Sequence, residues 1–471
     1  MSLLVGEVLR RSAARTPRAR AVAFGAETLS FDELNRAADS LAASLRSQGI
    51  DYGQRVGWRA EPGIGAAVLF AALAKLGAVF VPLNPSLSDA ELAPILAKAR
   101  LHQLLETTPP VPSAVAPVAP VPSVAPVHEP WLHEGDPHVI FFTSGSTGAP
   151  KGVVLSHRAS FLRSFPGYLG GDGPDGMTVC MFPLFHMAPW SIAMGCWQAG
   201  HGVVFVSRPD PDDLAAAIVR HQAIRLYAIP AVWSRILAAG LTGRDLPCLR
   251  VADTGTSATP PELLVAIKEA FPGTVTRVFY GSTEAGPATW LGDDDLAARP
   301  GSVGLPAYGV DVRIAHDGEV CVRSDYLMDG YFEDDEATSQ ALIDGWYHTG
   351  DAGALDVDGY LSITGRLRDV IRTGGETVAP AEVEAVLADH PAIAEAAVIG
   401  IPDAEWGEVV CAAVVVRPGE HVELAELRQH CEGRLARFKH PRRLAVVDRL
   451  PRTPATGQVQ RTLLIERLAS S

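Results

Sequence analysis

The chain has 471 residues, of which 47% are hydrophobic and 20% charged, a composition typical of a folded protein rather than a disordered one. Its length exceeds what one hydrophobic core usually supports, so we expect one large domain and one small domain. The formal net charge of -14 at pH 7 argues against a nucleic acid as the main ligand, because such proteins neutralise phosphates with clustered lysines and arginines.

The first twenty residues mix charged side chains with short apolar pieces, a pattern that does not fit a signal peptide. Elsewhere no uninterrupted apolar stretch reaches the length of a membrane span. The six cysteines are scattered, without the spacing of a zinc site or a CxxC pair. We therefore expect a cytoplasmic protein with reduced thiols and no membrane span.

Apolar residues at helical spacing over 29–48 predict a helix, and the Ala/Leu-rich segment 63–81 predicts a second helix that leads into a buried strand. Short apolar runs at 203–206 and 226–229 alternate with further helical patterns, which favours covered and largely parallel sheets. The stretch 107–130 is rich in Pro, Ala and Val, as in an extended connection. The predicted fold class is α/β.

The pattern changes after Gly365, where a charged segment and two glycines precede a helical pattern over 380–387. The remaining chain has the size of a small α+β domain. The predicted organisation is therefore two domains, 1–367 and 368–471, with a hinge at Arg368 and Asp369.

The most informative segment, 141–153, joins an apolar strand to a loop of glycines and hydroxyl residues with one lysine. Small residues let backbone N–H groups and hydroxyls surround phosphate oxygens, while the lysine supplies positive charge. The spacing is not that of a Walker A loop, and a simple polar hairpin would explain the composition but not the whole string. The residues predicted to bind AMP or its phosphate here are Thr143, Ser144, Gly145, Ser146, Thr147, Gly148 and Lys151.

This string resembles the phosphate loop of the adenylate-forming superfamily, which contains acyl-CoA synthetases, luciferases and the adenylation domains of peptide synthetases. Further motifs follow in that family's order at 280–284 and 347–351, and the resemblance extends over nearly the whole chain. The roles that it implies are α-phosphate contact by Thr283, magnesium binding by Glu284, and ribose binding by Asp351 and Arg366.

The resemblance implies a two-step reaction. A carboxylate attacks the α-phosphorus of ATP to give acyl-AMP and pyrophosphate, and a thiol then attacks the acyl carbon after the small domain has rotated about the hinge. The implied fold is a large domain of stacked mixed sheets with helices and a small β subdomain, followed by a mobile α+β domain. The implied ligands are CoA and the AMP moiety of the acyl-adenylate, with ATP and magnesium if adenylation survives. Gly374 and Gly375 would line the pantetheine passage, where missing side chains admit a narrow thiol arm.

The C-terminal motif departs from the family pattern, which ends in a Gly-Lys pair whose lysine reaches the active site during adenylation. Gln458 stands at that position in a loop one residue longer than usual, and no lysine follows Lys439. A carboxylate approaching a triphosphate needs positive charge between the two, and glutamine carries none. We predict severely slowed adenylation with retained thioester formation, the acyl-adenylate coming from a partner adenylating enzyme. Rescue by Lys439 and an engineered Gln458 stay open as alternatives.

The resemblance also implies an acyl pocket, in which His186 holds the place of a gating aromatic residue; a core histidine is the alternative interpretation. No aspartate lies between Met181 and Trp190, which argues against an amino-acid substrate. Trp190 and the small residues at 255–257 favour an apolar acyl group, without separating a linear acid from a cyclic one. The implied pocket residues are Phe185, His186, Trp190, Gly255, Thr256, Ser257, Tyr280 and Gly281.

Two other functions compete with this prediction. A complete ATP-dependent acyl-CoA synthetase is the second candidate among enzymes. A non-catalytic relative that binds a nucleotide or an acyl ligand is the candidate from another class, and the intact phosphate loop argues against it. Because the chain ends soon after the C-terminal motif, CoA is favoured over the thiol of a carrier protein.

Overall fold

The computed structural model describes residues 2–110, 131–144, 150–165, 176–373, 376–403, 406–452 and 458–469. The chain divides into two compact units. The N-terminal unit comprises 1–312 and 322–348, and the C-terminal unit comprises 313–321 and 349–471. This boundary lies upstream of the expected hinge at Arg368 and Asp369, and the hinge stays a prediction.

The N-terminal unit contains helices that cover its sheets. Their bounds are α1 (Val5–Arg15), α2 (Phe31–Ser47), α3 (Ile64–Leu76), α4 (Asp89–Ala99), α5 (His157–Leu162), α6 (Met187–Ala199), α7 (Pro211–His221), α8 (Pro230–Ala238), α9 (Pro261–Ala270) and α10 (Asp335–Ala341).

Local sequence explains how two of these helices form. Ser30 caps α2 by accepting a hydrogen bond from the backbone N–H of Glu33, whose side chain returns to the backbone of Ser30, so the helix begins where this reciprocal pair forms. Helix α3 is buried at every residue, as expected for a helix with protein on all sides. Its one charged side chain, Lys75, forms an ion pair with Asp39. The left-handed C-cap of α3 is Gly77, with φ of 70°.

The strands, to the point where the chain has entered the C-terminal unit, are β1 (Arg20–Phe24), β2 (Glu27–Ser30), β3 (Arg55–Trp58), β4 (Val79–Pro82), β5 (Gln103–Leu105), β6 (Pro137–Ser144), β7 (Pro150–Ser156), β8 (Met177–Cys180), β9 (Val203–Phe205), β10 (Ala223–Tyr227), β11 (Val251–Gly255), β12 (Val275–Ser282), β13 (Gly286–Leu291), β14 (Ser302–Pro306), β15 (Val310–Ile314), β16 (Glu319–Ser324), β17 (Gly330–Tyr331), β18 (Leu342–Ile343) and β19 (Trp346–Leu355).

Two sheets organise the N-terminal unit. One runs in the order β14-β13-β12-β11-β10-β8-β9-β1-β2, and the other in the order β17-β7-β6-β4-β3-β5. Strands β8, β10, β11 and β12 are parallel neighbours, whereas β6 and β7 form an antiparallel pair. The carboxyl ends of β10, β11 and β12 therefore share one edge, the place where ligands bind in such sheets.

The C-terminal unit is a small α+β structure around its own sheet. Its further elements are β20 (Leu361–Arg366), β21 (Ile371–Thr373), β22 (Glu376–Val378), α11 (Pro380–Ala388), β23 (Ile393–Asp403), β24 (Gly407–Val416), α12 (Leu424–Cys431), β25 (Arg443–Val446) and α13 (Arg461–Ala469).

Strands β22-β21-β24-β23 form this sheet in that order, and β25 pairs with β24 in parallel. One apolar cluster contains residues of α11 and α12, including Val383 and Leu427, and a second contains Leu464 of α13. Residues alternate along β23, where Val398 joins the first cluster and Ile399 the second, so the sheet has an apolar core on each face.

The predicted fold class is confirmed. The segment 29–48 contains α2, the segment 63–81 contains α3 and β4, and the run 203–206 contains β9. Most of the predicted extended connection, 111–130, lies outside the described residues. The six cysteines form no disulfide bond, and across the described ranges no helix is both long and apolar enough to cross a bilayer.

Candidate active site

The phosphate-loop prediction falls on the hairpin of β6 and β7. Thr143 pairs with Lys151 and Ser144 with Pro150 in the antiparallel register, and the Thr143 hydroxyl lies 3.5 Å from the Lys151 carbonyl oxygen that accepts its hydrogen bond. Gly145, Ser146, Thr147 and Gly148 lie outside the described residues. The structure thus gives the two strands that carry the loop.

Lys151 and Glu284 share one neighbour, Tyr331. The Lys151 ammonium lies 4.8 Å from the centroid of the Tyr331 ring, within the range of a cation–π contact. The Tyr331 hydroxyl donates a hydrogen bond of 3.2 Å to the Glu284 carboxylate. Burial and the nearby Glu284 carboxylate raise the pKa of Tyr331, so the phenol stays protonated and can donate. One tyrosine therefore touches both the predicted phosphate ligand and the predicted magnesium ligand.

Thr283 is held through its backbone by Arg163, which follows α5. The guanidinium of Arg163 donates to the Thr283 carbonyl at 2.8 Å and to the Tyr326 carbonyl at 2.6 Å. Burial lowers the pKa of Arg163 to about 10, so the side chain is charged at pH 7. Sequence reasoning missed this residue, because nothing in the local pattern connects position 163 with a motif 120 residues away.

The predicted acyl-pocket glycines occupy positions that exclude any side chain. A Cβ on Gly255, where φ is +148°, would lie 2.2 Å from the Phe279 carbonyl oxygen, and one on Gly281 would lie 2.2 Å from that of Gly286. Thr256 has a positive φ of 66°, uncommon for a residue with a branched side chain. Together with Ser257 and Tyr280, these residues follow or end the parallel strands β11 and β12.

His186 is the N-cap residue of α6, and its ring centroid lies 4.4 Å from that of Phe185. Burial lowers the pKa of His186 to about 4, so the imidazole is neutral at pH 7. Its Nε2 is buried, and no described residue hydrogen-bonds to it. The gating role of His186 and the alternative of a core histidine both stay predictions.

Trp190 has the surroundings of a core side chain. It is 3% exposed, it stacks on Phe70 at 4.4 Å between ring centroids, and its indole N–H donates to the Leu184 carbonyl at 2.7 Å. Its place in the acyl pocket stays a prediction, and its aromatic contacts account for its burial without a ligand.

In the C-terminal unit, the two predicted ribose-binding residues lie together. Asp351 of β19 pairs in register with Arg366 of β20, and Nε of Arg366 lies 2.9 Å from the Asp351 carboxylate. Arg366 also donates to the Thr349 carbonyl at 3.1 Å. The pair is thus fixed by the hairpin and by side-chain bonds.

The charged residues around the C-terminal motif pair with carboxylates of the same unit. Gln458 is exposed and neutral. Lys439 forms an ion pair with Glu382, and Arg461 lies 2.6 Å from Glu384 and 3.7 Å from Asp369. The expected hinge residues Arg368 and Asp369 lie 3.6 Å apart between charged atoms. Gly374 and Gly375 lie outside the described residues.

Comparison with known proteins decides the family. The sequence signature described as "AMP-binding enzyme" matches residues 9–332, about two thirds of the chain. The chain belongs to the AMP-binding enzyme family. A second signature, described as "AMP-binding enzyme C-terminal domain", matches residues 382–456 of this chain.

Relatives of this AMP-binding enzyme carry the names of CoA ligases. Feruloyl-CoA synthase from Amycolatopsis sp is 34% identical over 95% of this chain and 96% of that protein. A long-chain-fatty-acid–CoA ligase from Mycobacterium tuberculosis is 32% identical over 99% of each chain.

Among solved structures, ATP-bound MatB from Rhodopseudomonas palustris is similar with a TM-score of 0.88, 27% identity and 99% coverage of both chains. The o-succinylbenzoate CoA synthetase of Bacillus subtilis, with its acyl-adenylate intermediate, gives a TM-score of 0.86, 28% identity and 97% coverage of both. The prediction of an adenylate-forming enzyme of the CoA-ligase type, joining an acid to a thiol, is confirmed at the level of the family.

Proposed function

We propose that this AMP-binding enzyme forms an acyl-CoA thioester from an acyl-adenylate and CoA, and that its ATP-dependent adenylation half-reaction is severely slowed or absent. The observation that carries the proposal is Gln458 at the place of the family lysine, together with the lack of any lysine after Lys439.

Charge explains why one half-reaction suffers more than the other. During adenylation, an anionic carboxylate must approach a polyanionic triphosphate, and a neutral amide cannot screen that repulsion as an ammonium does. During thioester formation, the anhydride is already activated and AMP is the leaving group, so this cation is not needed. Loss of one well-placed stabilising group typically costs about 10² to 10³ in rate.

The nearby cations do not offer an obvious replacement. Lys439 already pairs with Glu382, and Arg461 with Glu384. Either would have to leave a carboxylate of its own unit to reach a triphosphate. This supports the half-enzyme over rescue by Lys439, the alternative that sequence reasoning left open.

The residues present fit the ligands that the family uses. A carboxylate such as Glu284 is the oxygen ligand that Mg²⁺ prefers, and Lys151 supplies charge for a phosphate. When bound, Mg²⁺ would neutralise charge on the phosphates of ATP. We propose that Asp351 and Arg366 hold the ribose of AMP, and that residues 368–471 rotate about Arg368 and Asp369 between the half-reactions.

We propose a hydrophobic carboxylic acid as the source of the acyl group, because the relatives are named for ferulate, fatty acids, cinnamate and a methyl-dioxo-octahydroindenyl propanoate. A separate adenylating enzyme would supply the acyl-adenylate. A chain whose six cysteines form no disulfide bond suits a reducing compartment, and we propose the cytoplasm.

The experiment is single-turnover formation of CoA thioester by the purified chain, with two supplies of the same acyl groups. One arm contains ATP, magnesium and a panel of free acids, and the other contains the matching synthetic acyl-adenylates without ATP. The proposal requires thioester from the adenylates and little or none from ATP plus acid. Equal rates in both arms would refute it, and no thioester in either arm would favour a non-catalytic binding protein.

A complete ATP-dependent synthetase is the second candidate. It is favoured by similar structures that were captured with ATP, or with ATP and magnesium. It predicts thioester formation in the first arm of the same experiment.

A further inference from the structure

Tyr227 ends β10 at the sheet edge that carries the predicted acyl-pocket residues. It pairs with Asp253 of the parallel neighbour β11, and β11 ends two residues later at Gly255. Side chains at paired positions of parallel strands, and at every second residue, project from one face. Tyr227, Asp253 and Gly255 therefore belong to the same face of the sheet.

The hydroxyl of Tyr227 lies close to the backbone of Gly255. A Cβ on Gly255 would lie 3.0 Å from the Tyr227 hydroxyl oxygen. Since the backbone at Gly255 has φ of +148° and faces the Phe279 carbonyl at close range, no other residue fits there without strain. Glycine at this position therefore lets the Tyr227 hydroxyl and the backbone of the predicted acyl site lie side by side.

Aromatic neighbours fix the direction of the phenol. The Tyr227 ring stands perpendicular to Phe182 with 5.2 Å between centroids, and lies 5.6 Å from Phe279 at 36°. The side chains of Phe182 and Phe279 are 8% exposed or less, while Tyr227 keeps part of its surface accessible.

The Tyr227 hydroxyl makes no hydrogen bond with any residue in the described part of the chain. Its strand neighbour Asp253 is occupied, because Arg277 donates to both Asp253 carboxylate oxygens at 2.8 and 2.7 Å. Burial raises the pKa of Tyr227, so the phenol is protonated and able to donate. Such a donor becomes costly to leave without an acceptor once a bound ligand excludes water from it.

We propose that Tyr227 determines acyl specificity by donating a hydrogen bond to an oxygen that the acyl group carries away from its carboxylate, such as a ring hydroxyl, a carbonyl or an ether. The inference rests on the proposed function, because it takes the region of Gly255 to be the acyl site. A bound acyl group displaces water from the Tyr227 hydroxyl. If the acyl group lacks this oxygen, the hydroxyl is left without an acceptor, whereas an acyl group that carries the oxygen accepts the hydrogen bond in place of water.

The test uses 3-phenylpropanoyl-adenylate and its derivatives with a single hydroxyl at each ring position. Dissociation constants are measured by calorimetry, and thioester formation with CoA is followed separately. The chain as it exists should bind at least one hydroxylated derivative about tenfold more tightly than the parent, the worth of one neutral hydrogen bond. Y227F should lose that preference and bind the parent at least as well.

Y308F serves as the control, because Tyr308 is 87% exposed; it should keep the preference. An unchanged preference in Y227F, or none in the native chain, would overturn the inference. Selective binding that Y227F abolishes, without any thioester formation, would support Tyr227 as the selector and contradict the proposed reaction. No binding of any adenylate would contradict both.

Discussion

On our proposal, the motif residues of the N-terminal unit keep the family pattern, whereas the C-terminal motif around Gln458 departs from it. In the first region, Glu284 and Thr283 each have a fixed partner, Tyr331 and Arg163. In the second, the neutral Gln458 stands where we propose that the family carries a cation. General decay would be expected to loosen both regions, so the contrast favours a change confined to the step that needs the cation.

The largest expected effect comes from restoring that cation. Q458K should raise the rate of pyrophosphate release from ATP plus a free acid by about 10² to 10³, while thioester formation from the acyl-adenylate changes little. Pyrophosphate release in a coupled assay measures the first rate. Q460K is the matched control, because it adds the same charge two residues away. An equal increase in the rate of pyrophosphate release in the two variants, or no increase in Q458K, would contradict the proposal that the missing cation at position 458 limits adenylation.

A second prediction concerns how the free energy of unfolding of the N-terminal unit depends on pH. His157 begins α5 and accepts a hydrogen bond of 3.2 Å from the Val5 N–H, and burial lowers the pKa of His157 to about 4. The unfolded chain, with a pKa near 6.5, takes up the proton first as the pH falls. The contribution of His157 to the free energy of unfolding is therefore present above pH 6.5 and is lost as the pH falls towards 4. The total loss is about 3 kcal/mol.

Denaturant unfolding at a series of pH values checks this slope. H157Q keeps an acceptor for Val5 and removes the titrating group, so its stability should fall less steeply between pH 6.5 and 4. H421Q, at an exposed position, should behave like the native chain. The same slope in H157Q as in the native chain would show that His157 is not the group responsible.

Arg163 tests whether the Thr283 segment depends on its buried support. R163M leaves the Thr283 and Tyr326 carbonyls without these donors, and we expect it to lower the free energy of unfolding by about 2 kcal/mol and to weaken adenylate binding. R158M is the control on the same helix, since Arg158 is 42% exposed in its ion pair with Glu134 and such pairs contribute about 0–1 kcal/mol. Equal losses in both variants would contradict the supporting role.

The smallest expected effect is that of the Tyr331 hydroxyl. Y331F removes one hydrogen bond to Glu284 and keeps the ring that faces Lys151, so magnesium-dependent ATP binding should weaken by a few-fold to about tenfold. Binding of AMP without magnesium should change less. Calorimetry with and without magnesium separates the two, and an equal loss in both would mean that the hydroxyl does not act through Glu284.

Sequence reasoning succeeds where the signal is local. Ser30 and Glu33 determine where α2 begins, and one continuous segment of sequence forms the hairpin that carries the phosphate loop. The family resemblance implies that Asp351 and Arg366 both bind ribose, and the structure places the two residues on neighbouring strands. In each case the residues that make the structure are close in sequence or belong to a motif.

The rest depends on contacts that no local pattern records. Arg163 meets Thr283 across 120 residues, and Tyr227 meets Gly255 through the pairing of two strands. Trp190 fits a pocket residue by motif position, yet its stacking on Phe70 of α3 is set by tertiary packing. Such contacts become visible only once the strands and helices are in place.

The most direct test of the central claim measures both half-reactions on one preparation with one acyl group. Exchange between pyrophosphate and ATP in the presence of the free acid reports adenylation, and rapid-quench thioester formation from the synthetic adenylate reports the second step. We expect the thioester rate to exceed the exchange rate by at least about 10². Comparable rates would contradict the account and identify the chain as a complete ATP-dependent acyl-CoA synthetase.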